Sequence, residues 1–265
     1  MIDLNQSLRR LGMRASEEAI NGLIKHAHKG KLSPEVLIEK LVEIELRERD
    51  VRNLARRTRD ASLGRFKTMD QFDWAHLRKV DRPLIEGLLM LDFLVATPPA
   101  NILLRGPAGV GKTTIAQNIG LAALEAGHTV RFSTLPATLA DLLRQESLPA
   151  IERRLKRYTA PDLLILDELG YVPCDSRAAD LFFNIISRRH EARSVVITTN
   201  LPFKSWGDVF PAAACLGALI DRFAENCHVV DLDADSYRQR SAKDSRRKAP
   251  VPQGQSPAKQ RLRPQ

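Results

Sequence analysis

With 265 residues, 43% of them hydrophobic, the chain is long enough for one large α/β unit and a small appendage. It has no run of about 18 uncharged apolar residues and no apolar leader, so membrane insertion and export are not indicated and a cytoplasmic protein is expected. The formal charge of +9 is unevenly spread: residues 46–67 carry 8 basic and 3 acidic side chains, residues 238–265 carry 9 and 1, and residues 68–237 carry 17 and 21.

In chain order, residues 3–29 read as one or two short helices, with Ser16 ahead of Glu17 and Glu18 as a start signal. His26 and His28 are two apart, fall on different helix faces and read as surface residues. Ser33 then caps a long helix opening at Pro34 and Glu35, with Leu37, Leu41, Ile44, Val51 and Leu54 at helical spacing and a basic second half. Residues 1–65 are thus expected to form a small all-α domain for DNA or a partner. Residues 66–100 are a connector broken by Pro83, Pro98 and Pro99; its Phe66, Phe72, Trp74 and Phe93 either pack under a core or flank an adenine, packing being the simpler reading.

From residue 101 the pattern alternates. Strands are predicted near 101–105, 128–133, 162–167, 194–199 and 227–231, with helices at 112–126, 136–158, 176–191 and between 203 and 225. That is the signature of a mainly parallel sheet flanked by helices, here within residues 66–240. The tail, 241–265, is dominated by Lys, Arg, Pro, Gln and Ser and is expected to be disordered. Cys174, Cys215 and Cys227 have no C-x-x-C or metal-ligand spacing, which predicts reduced thiols.

Three stretches carry chemistry. "NILLRGPAGVGKTTIAQ" fits G-x-x-x-x-G-K-[ST]: a strand ending in a glycine-rich turn that opens a helix, so that backbone N–H groups converge at the positive end of a helix dipole. Gly106, Pro107, Ala108, Gly109, Val110 and Gly111 would wrap the phosphates of ATP. Lys112 would reach the β and γ groups, Thr113 would offer its hydroxyl to Mg²⁺, and Thr114 follows beside them. "DLLILDELGYVP" brings Asp167 and Glu168 to the C-terminal end of a buried strand. Asp167 can hold Mg²⁺ through water while Glu168, pointing the other way, polarises an attacking water. That pairing favours ATP hydrolysis over transfer to a metabolite. "SVVITTN" is a third buried strand, whose Asn200 would emerge beside the γ-phosphate, although turn chemistry explains an asparagine there equally well. In "GALIDRFAENC", Arg222 is either a transition-state arginine or the partner of Asp221 or Glu225.

The basic clusters attract polyanions by counterion release, nucleic acid being the expected one, with a solvated helix face and a solubilising tail as the alternative. Arg52, Arg56, Arg57 and Arg59 of the long helix are candidate DNA contacts, joined by Arg153, Arg154, Lys156 and Arg157 of "ERRLKRY" between the second and third strands.

Taken together, the phosphate loop, Asp167-Glu168 in "LLILDELGYVP", "ITTN", "LIDRF" and "DADSYRQR" resemble the AAA+ ATPases of the DnaC clade, and most closely the IstB-like ATP-binding proteins of insertion sequences. The resemblance covers about residues 8–240. It implies an AAA+ P-loop core and an ATPase that assembles as a homo-oligomer on duplex DNA and recruits or activates a cognate transposase; a helicase loader of the same clade is the alternative. By position it makes Glu168 the catalytic base, Asn200 a first sensor, Arg222 a finger acting on a neighbour's ATP and Arg238 a second-sensor candidate. Thr114 stands where relatives often have His.

Overall fold

The computed structural model describes residues 3–30, 32–170, 174–211 and 213–234. Arg238 and the 241–265 tail lie outside them. The described chain begins with helices α1 (Leu4–Arg10), α2 (Glu17–Gly30) and α3 (Pro34–Ala61). Ser33 caps α3 by accepting the Val36 N–H, Pro34 takes the first turn where no N–H is needed, and Ser62 ends the helix in a left-handed conformation. Between the α1–α2 connection and α3, the buried carboxylate of Glu45 accepts the backbone N–H groups of Arg14 and Ala15 at 2.8 and 2.7 Å, and Arg49 pairs with it at 3.0 Å. Burial pushes the Glu45 carboxyl up, but the donors from Arg14, Arg49 and Ala15 outweigh it and hold the group below its ordinary value. Val51 is not inward-facing as its helical spacing suggests: it is 63% exposed, because α3 serves α2 with one half and the sheet edge with the other, and their buried stripes do not coincide.

Two 3₁₀ turns, at Met69–Gln71 and Trp74–His76, lead through α4 (Arg82–Leu89) and α5 (Asp92–Val95) into the core. Phe93 is buried, and Phe66, Phe72 and Trp74 pack against the same apolar cluster, as the simpler reading expected. The core then runs β1 (Asn101–Arg105), α6 (Lys112–Glu125), β2 (Val130–Thr134), α7 (Leu135–Leu143), α8 (Leu148–Thr159), β3 (Leu163–Leu169), α9 (Ser176–Arg189), β4 (Ser194–Thr199), α10 (Trp206–Val209), α11 (Leu216–Ala224) and β5 (Cys227–Asp231). The region read as helical over 136–158 is two helices, because Ser147 breaks the run and caps α8 through the Ala150 N–H.

The five described strands pair in parallel, in the order β2-β3-β4-β1-β5. Strand residues alternate between two apolar layers. Ile102, Leu104, Leu163 and Ile165 face the layer of α4, α6 and the connector, while Leu103, Leu164, Leu166 and Ile197 face that of α7, α9 and α11. Helices on both faces explain why the inner strands are continuous apolar runs. Arg189, buried at the end of α9, gathers five carbonyls: Tyr158, Thr159, Pro161, Asp162 and Ser194 at 2.7–3.3 Å, tying the α8–β3 connection to the start of β4. The three cysteines form no disulfide, and no helix among the described residues is long and apolar enough to cross a membrane.

Candidate functional site

The loop after β1 closes over the N-terminus of α6. Gly111, at φ +102°, caps that helix in a conformation side chains rarely adopt, and Phe72 of the connector lies so close that a Cβ there would sit 2.8 Å from its ring. The connector is pinned over the loop from within: buried Gln117 donates to the Leu63 carbonyl at 2.7 Å and Asn118 to the Lys67 carbonyl at 2.9 Å. The buried ammonium of Lys112 donates to the carbonyls of Gly106 and Pro107, both at 2.7 Å. Lys112 through Thr114, Asp167, Glu168, Thr198 and Phe72 line one cavity of about 160 Å³.

The carboxylate pair owes its arrangement to a bulge. Leu166 pairs with Ile197 and Leu169 with Thr199, so β3 spends one more residue than β4 across this interval. Asp167 is thereby buried and Glu168 turned out into the cavity, with φ at +66°. Thr198 faces the bulge from β4. Its hydroxyl donates to Asp167 Oδ1 and accepts the Glu168 N–H at 3.1 Å, satisfying a backbone donor the broken ladder leaves over. Thr113 also donates to the Asp167 carboxylate, its hydroxyl lying 3.0 Å from each oxygen. One hydroxyl and one carboxylate of this kind, hard oxygen donors at the mouth of a phosphate loop, suit Mg²⁺.

Asn200 stands slightly apart. It lines a neighbouring cleft with Gly106, Pro107 and Ala108, while Thr198 enters the carboxylate cavity. Sequence reasoning passed over Thr198, since its role depends on the bulge that sets it opposite Asp167 and Glu168. Arg222 has neither of the acidic partners spacing offered. It donates to Ser187 Oγ at 2.5 Å and lies 4.8 Å over the Phe183 ring, while Glu225 meets His190 at 2.8 Å. It borders the same cleft as Asn101, at the start of β1. The phosphate loop is at the other end of that strand.

The two basic clusters, separate in sequence, meet in space. Arg56, Arg57 and Arg59 of α3 share a cleft with Arg157 of α8 and with Arg131 of β2, a residue the sequence did not single out. Arg153 and Lys156 are exposed on α8. Arg52 and Arg154 are engaged within the fold: Arg52 with Glu48, Glu45 and the Arg14 carbonyl, Arg154 with both oxygens of Asp141 at 2.7 and 2.5 Å.

Strand order, phosphate loop and carboxylate-bearing third strand define an AAA+ P-loop nucleotide-binding core. The fold is shared with solved structures of DnaI (TM-score 0.52, 14% identity, covering 64% of this chain and 89% of that one) and of the initiator DnaA bound to AMPPCP and single-stranded DNA (0.52, 19%, 68% and 54%). Within that class, the chain belongs to the family described as IstB-like ATP binding protein, whose profile matches residues 6–245. Relatives named for ATP binding in insertion sequences include those of IS21 from Pseudomonas aeruginosa, 32% identical over 90% of this chain and 89% of its own length, and IS232 from Bacillus thuringiensis subsp. berliner, 34% identical over 89% and 93%.

Proposed function

We propose that this protein is a Mg²⁺-dependent ATPase that assists the transposase of an insertion sequence, assembling as a homo-oligomer on duplex DNA. The observation that carries the ATPase reading is the bulge that buries Asp167 beside the Thr113 hydroxyl and turns Glu168 out into the same cavity. Lys112, Thr113, Asp167 and Glu168 line one cavity, and a phosphate clamp, a metal-holding carboxylate and a water-directed carboxylate are the roles that would suit them. Bound Mg²⁺ would neutralise phosphate charge. Lys112 and the loop N–H groups of Gly106 and of Ala108 to Thr114 would hold the phosphates, Thr113 and Asp167 would hold the metal, and Glu168 would accept a proton from the attacking water. Asn200 senses the γ-phosphate from the adjoining cleft. Arg222 serves a neighbouring subunit's ATP, a role its position at the far end of β1 from its own phosphate loop favours. The insertion-sequence origin of the relatives supports the transposition role, and the exposed arginines of α3 and α8 support contact with DNA.

ATP turnover measured with and without duplex DNA tests this reading. Lys112→Ala should lose ATP binding, and Glu168→Gln should bind and fail to turn over. Arg222→Ala should bind ATP but remain inactive until mixed with Lys112→Ala, which lends its arginine to the intact ATP site. Equal loss of binding in the first two variants, or no rescue in a mixture shown to co-assemble, would overturn the assignments.

A further inference from the structure

The cleft between α3 and the edge strand β2 has chemistry that the fold does not use. Arg56, Arg57, Arg59, Arg131 and Arg157 line it, and Asp60 is the one carboxylate among its described lining residues. Asp60 lies 3.6 Å from Arg59, which leaves the other four guanidinium groups without a lining carboxylate to balance them. Inside the cleft, Arg131 spends one nitrogen on the Asp60 carbonyl and Ser62 Oγ, at 3.0 and 2.9 Å, and Arg57 spends one on the Leu124 carbonyl at 3.2 Å. The Nε atoms of Arg57 and Arg131 are both shut off from water and have no hydrogen-bond partner. Burial, and next the charge of Arg157, push the Arg131 pKa down, so the fold holds this group at an electrostatic cost. Like charges gathered in a concavity are a setting in which an anion is stabilised.

We infer that this cleft is a phosphate-binding site that grips the backbone of duplex DNA at the seam between α3 and the edge of the ATPase sheet. It rests on the DNA reading above and goes beyond it. The sequence offered two independent basic helices, whereas the fold joins parts of both into one site, adds Arg131 at its centre, and leaves Arg52 and Arg154 outside. A phosphate oxygen fits because guanidinium forks match its geometry and the contact is blind to base sequence. With one wall on α3 and the other on β2 and α8, an occupied cleft ties the N-terminal helices to the ATPase core.

The test is fluorescence anisotropy with a labelled 30-base-pair duplex over a series of KCl concentrations. The proteins compared are the parent, Arg131→Gln, Arg157→Gln and Arg188→Gln; Arg188 lies outside the cleft and is paired with Glu152 at 2.7 Å. Arg131→Gln and Arg157→Gln should each weaken binding on the order of 3- to 10-fold, equally for unrelated sequences, and flatten the log–log salt slope by about 1. Arg188→Gln should match the parent. Should Arg131→Gln fold poorly, as judged by its melting temperature, exposed Arg157→Gln carries the test alone. Parental affinity and slope in the Arg157 variant, or an equal loss in the Arg188 variant, would overturn the cleft while leaving DNA binding intact. A parent that does not bind duplex overturns both the cleft and the DNA reading.

Discussion

Thr198→Val removes one oxygen and keeps the β-branched shape, so its effect isolates the hydroxyl that faces the bulge. That hydroxyl makes two bonds inside the protein, donating to the buried Asp167 carboxylate and accepting the Glu168 N–H. A hydrogen bond to a charged group contributes roughly 1.5–3 kcal/mol, and a buried amide left without a partner costs about 1–3 kcal/mol. Thr113 still donates to Asp167, which offsets part of the first loss. A net destabilisation of about 3 kcal/mol follows, equivalent to a fall in Tm of roughly 6–12 °C for a domain of this size. Glu168 is also held at φ +66°, a conformation costing on the order of 1–3 kcal/mol that persists only while its surroundings enforce it. Freed of the Thr198 acceptor, the peptide relaxes and the carboxylate leaves the cavity. Thermal melting by circular dichroism, nucleotide binding and steady-state turnover should therefore show a lower Tm, near-normal ATP affinity and a large loss of kcat. Thr198→Ser should restore most of all three. A Thr198→Val protein melting within about 2 °C of the parent, or a serine variant as impaired as the valine one, would refute the reasoning.

Arg189→Met should cost about 3–5 kcal/mol in urea unfolding, since five carbonyls lose their donor; Lys at this position should recover only part, having three donors on a point charge instead of a planar fork. The Arg154 fork holds the Asp141 carboxyl below its ordinary value, assisted by the Tyr158 hydroxyl. In acid the folded Asp141 binds fewer protons than the unfolded one, so its contribution is complete above the unfolded value of 3.8 and is lost as pH falls through the folded pKa. Asp141→Asn should remove that component from the acid-unfolding profile, measured by fluorescence between pH 2 and 5. A Cβ on Gly106 would lie 2.2 Å from the Leu232 carbonyl oxygen, so Gly106→Ala must displace the chain after β5 and the phosphate loop with it, costing roughly 1–3 kcal/mol and weakening ATP binding, read by titration with a fluorescent nucleotide.

Local patterns made much of this protein legible before any coordinates. The glycine spacing of residues 106–111 marks a phosphate loop because only a few backbone conformations wrap a phosphate, and they need glycine at particular positions. Ser33 announced the start of α3, and buried runs such as Leu163–Leu166 announced parallel strands. Asp167 and Glu168 were readable as a pair because they stand together at the end of an apolar run, although the bulge that turns them to opposite sides was not. Each of these signals is contained within a few consecutive residues, where covalent geometry relates sequence to space directly.

What the sequence could not contain is register between distant segments. Thr198 lies 31 residues from Asp167, and one extra residue in β3 decides that its hydroxyl serves both carboxylate-bearing residues while Asn200 falls into the next cleft. Arg222 has two acidic residues nearby in sequence, Asp221 and Glu225, yet the packing of α11 on α9 gives it Ser187 and Phe183. Arg131 is an unremarked residue of an edge strand until α3 and α8 close around it, just as Arg52 and Arg154 read as free cations until the Arg14 carbonyl and Asp141 claim them. Charge counts are additive along the chain, but the field at a point depends on which charges the fold brings within a few ångströms. The sequence alone therefore determined the chemistry of the phosphate loop and the alternation that makes the sheet; the tertiary structure decided which hydroxyl steadies the carboxylates and which arginines converge, because those are contacts across the fold.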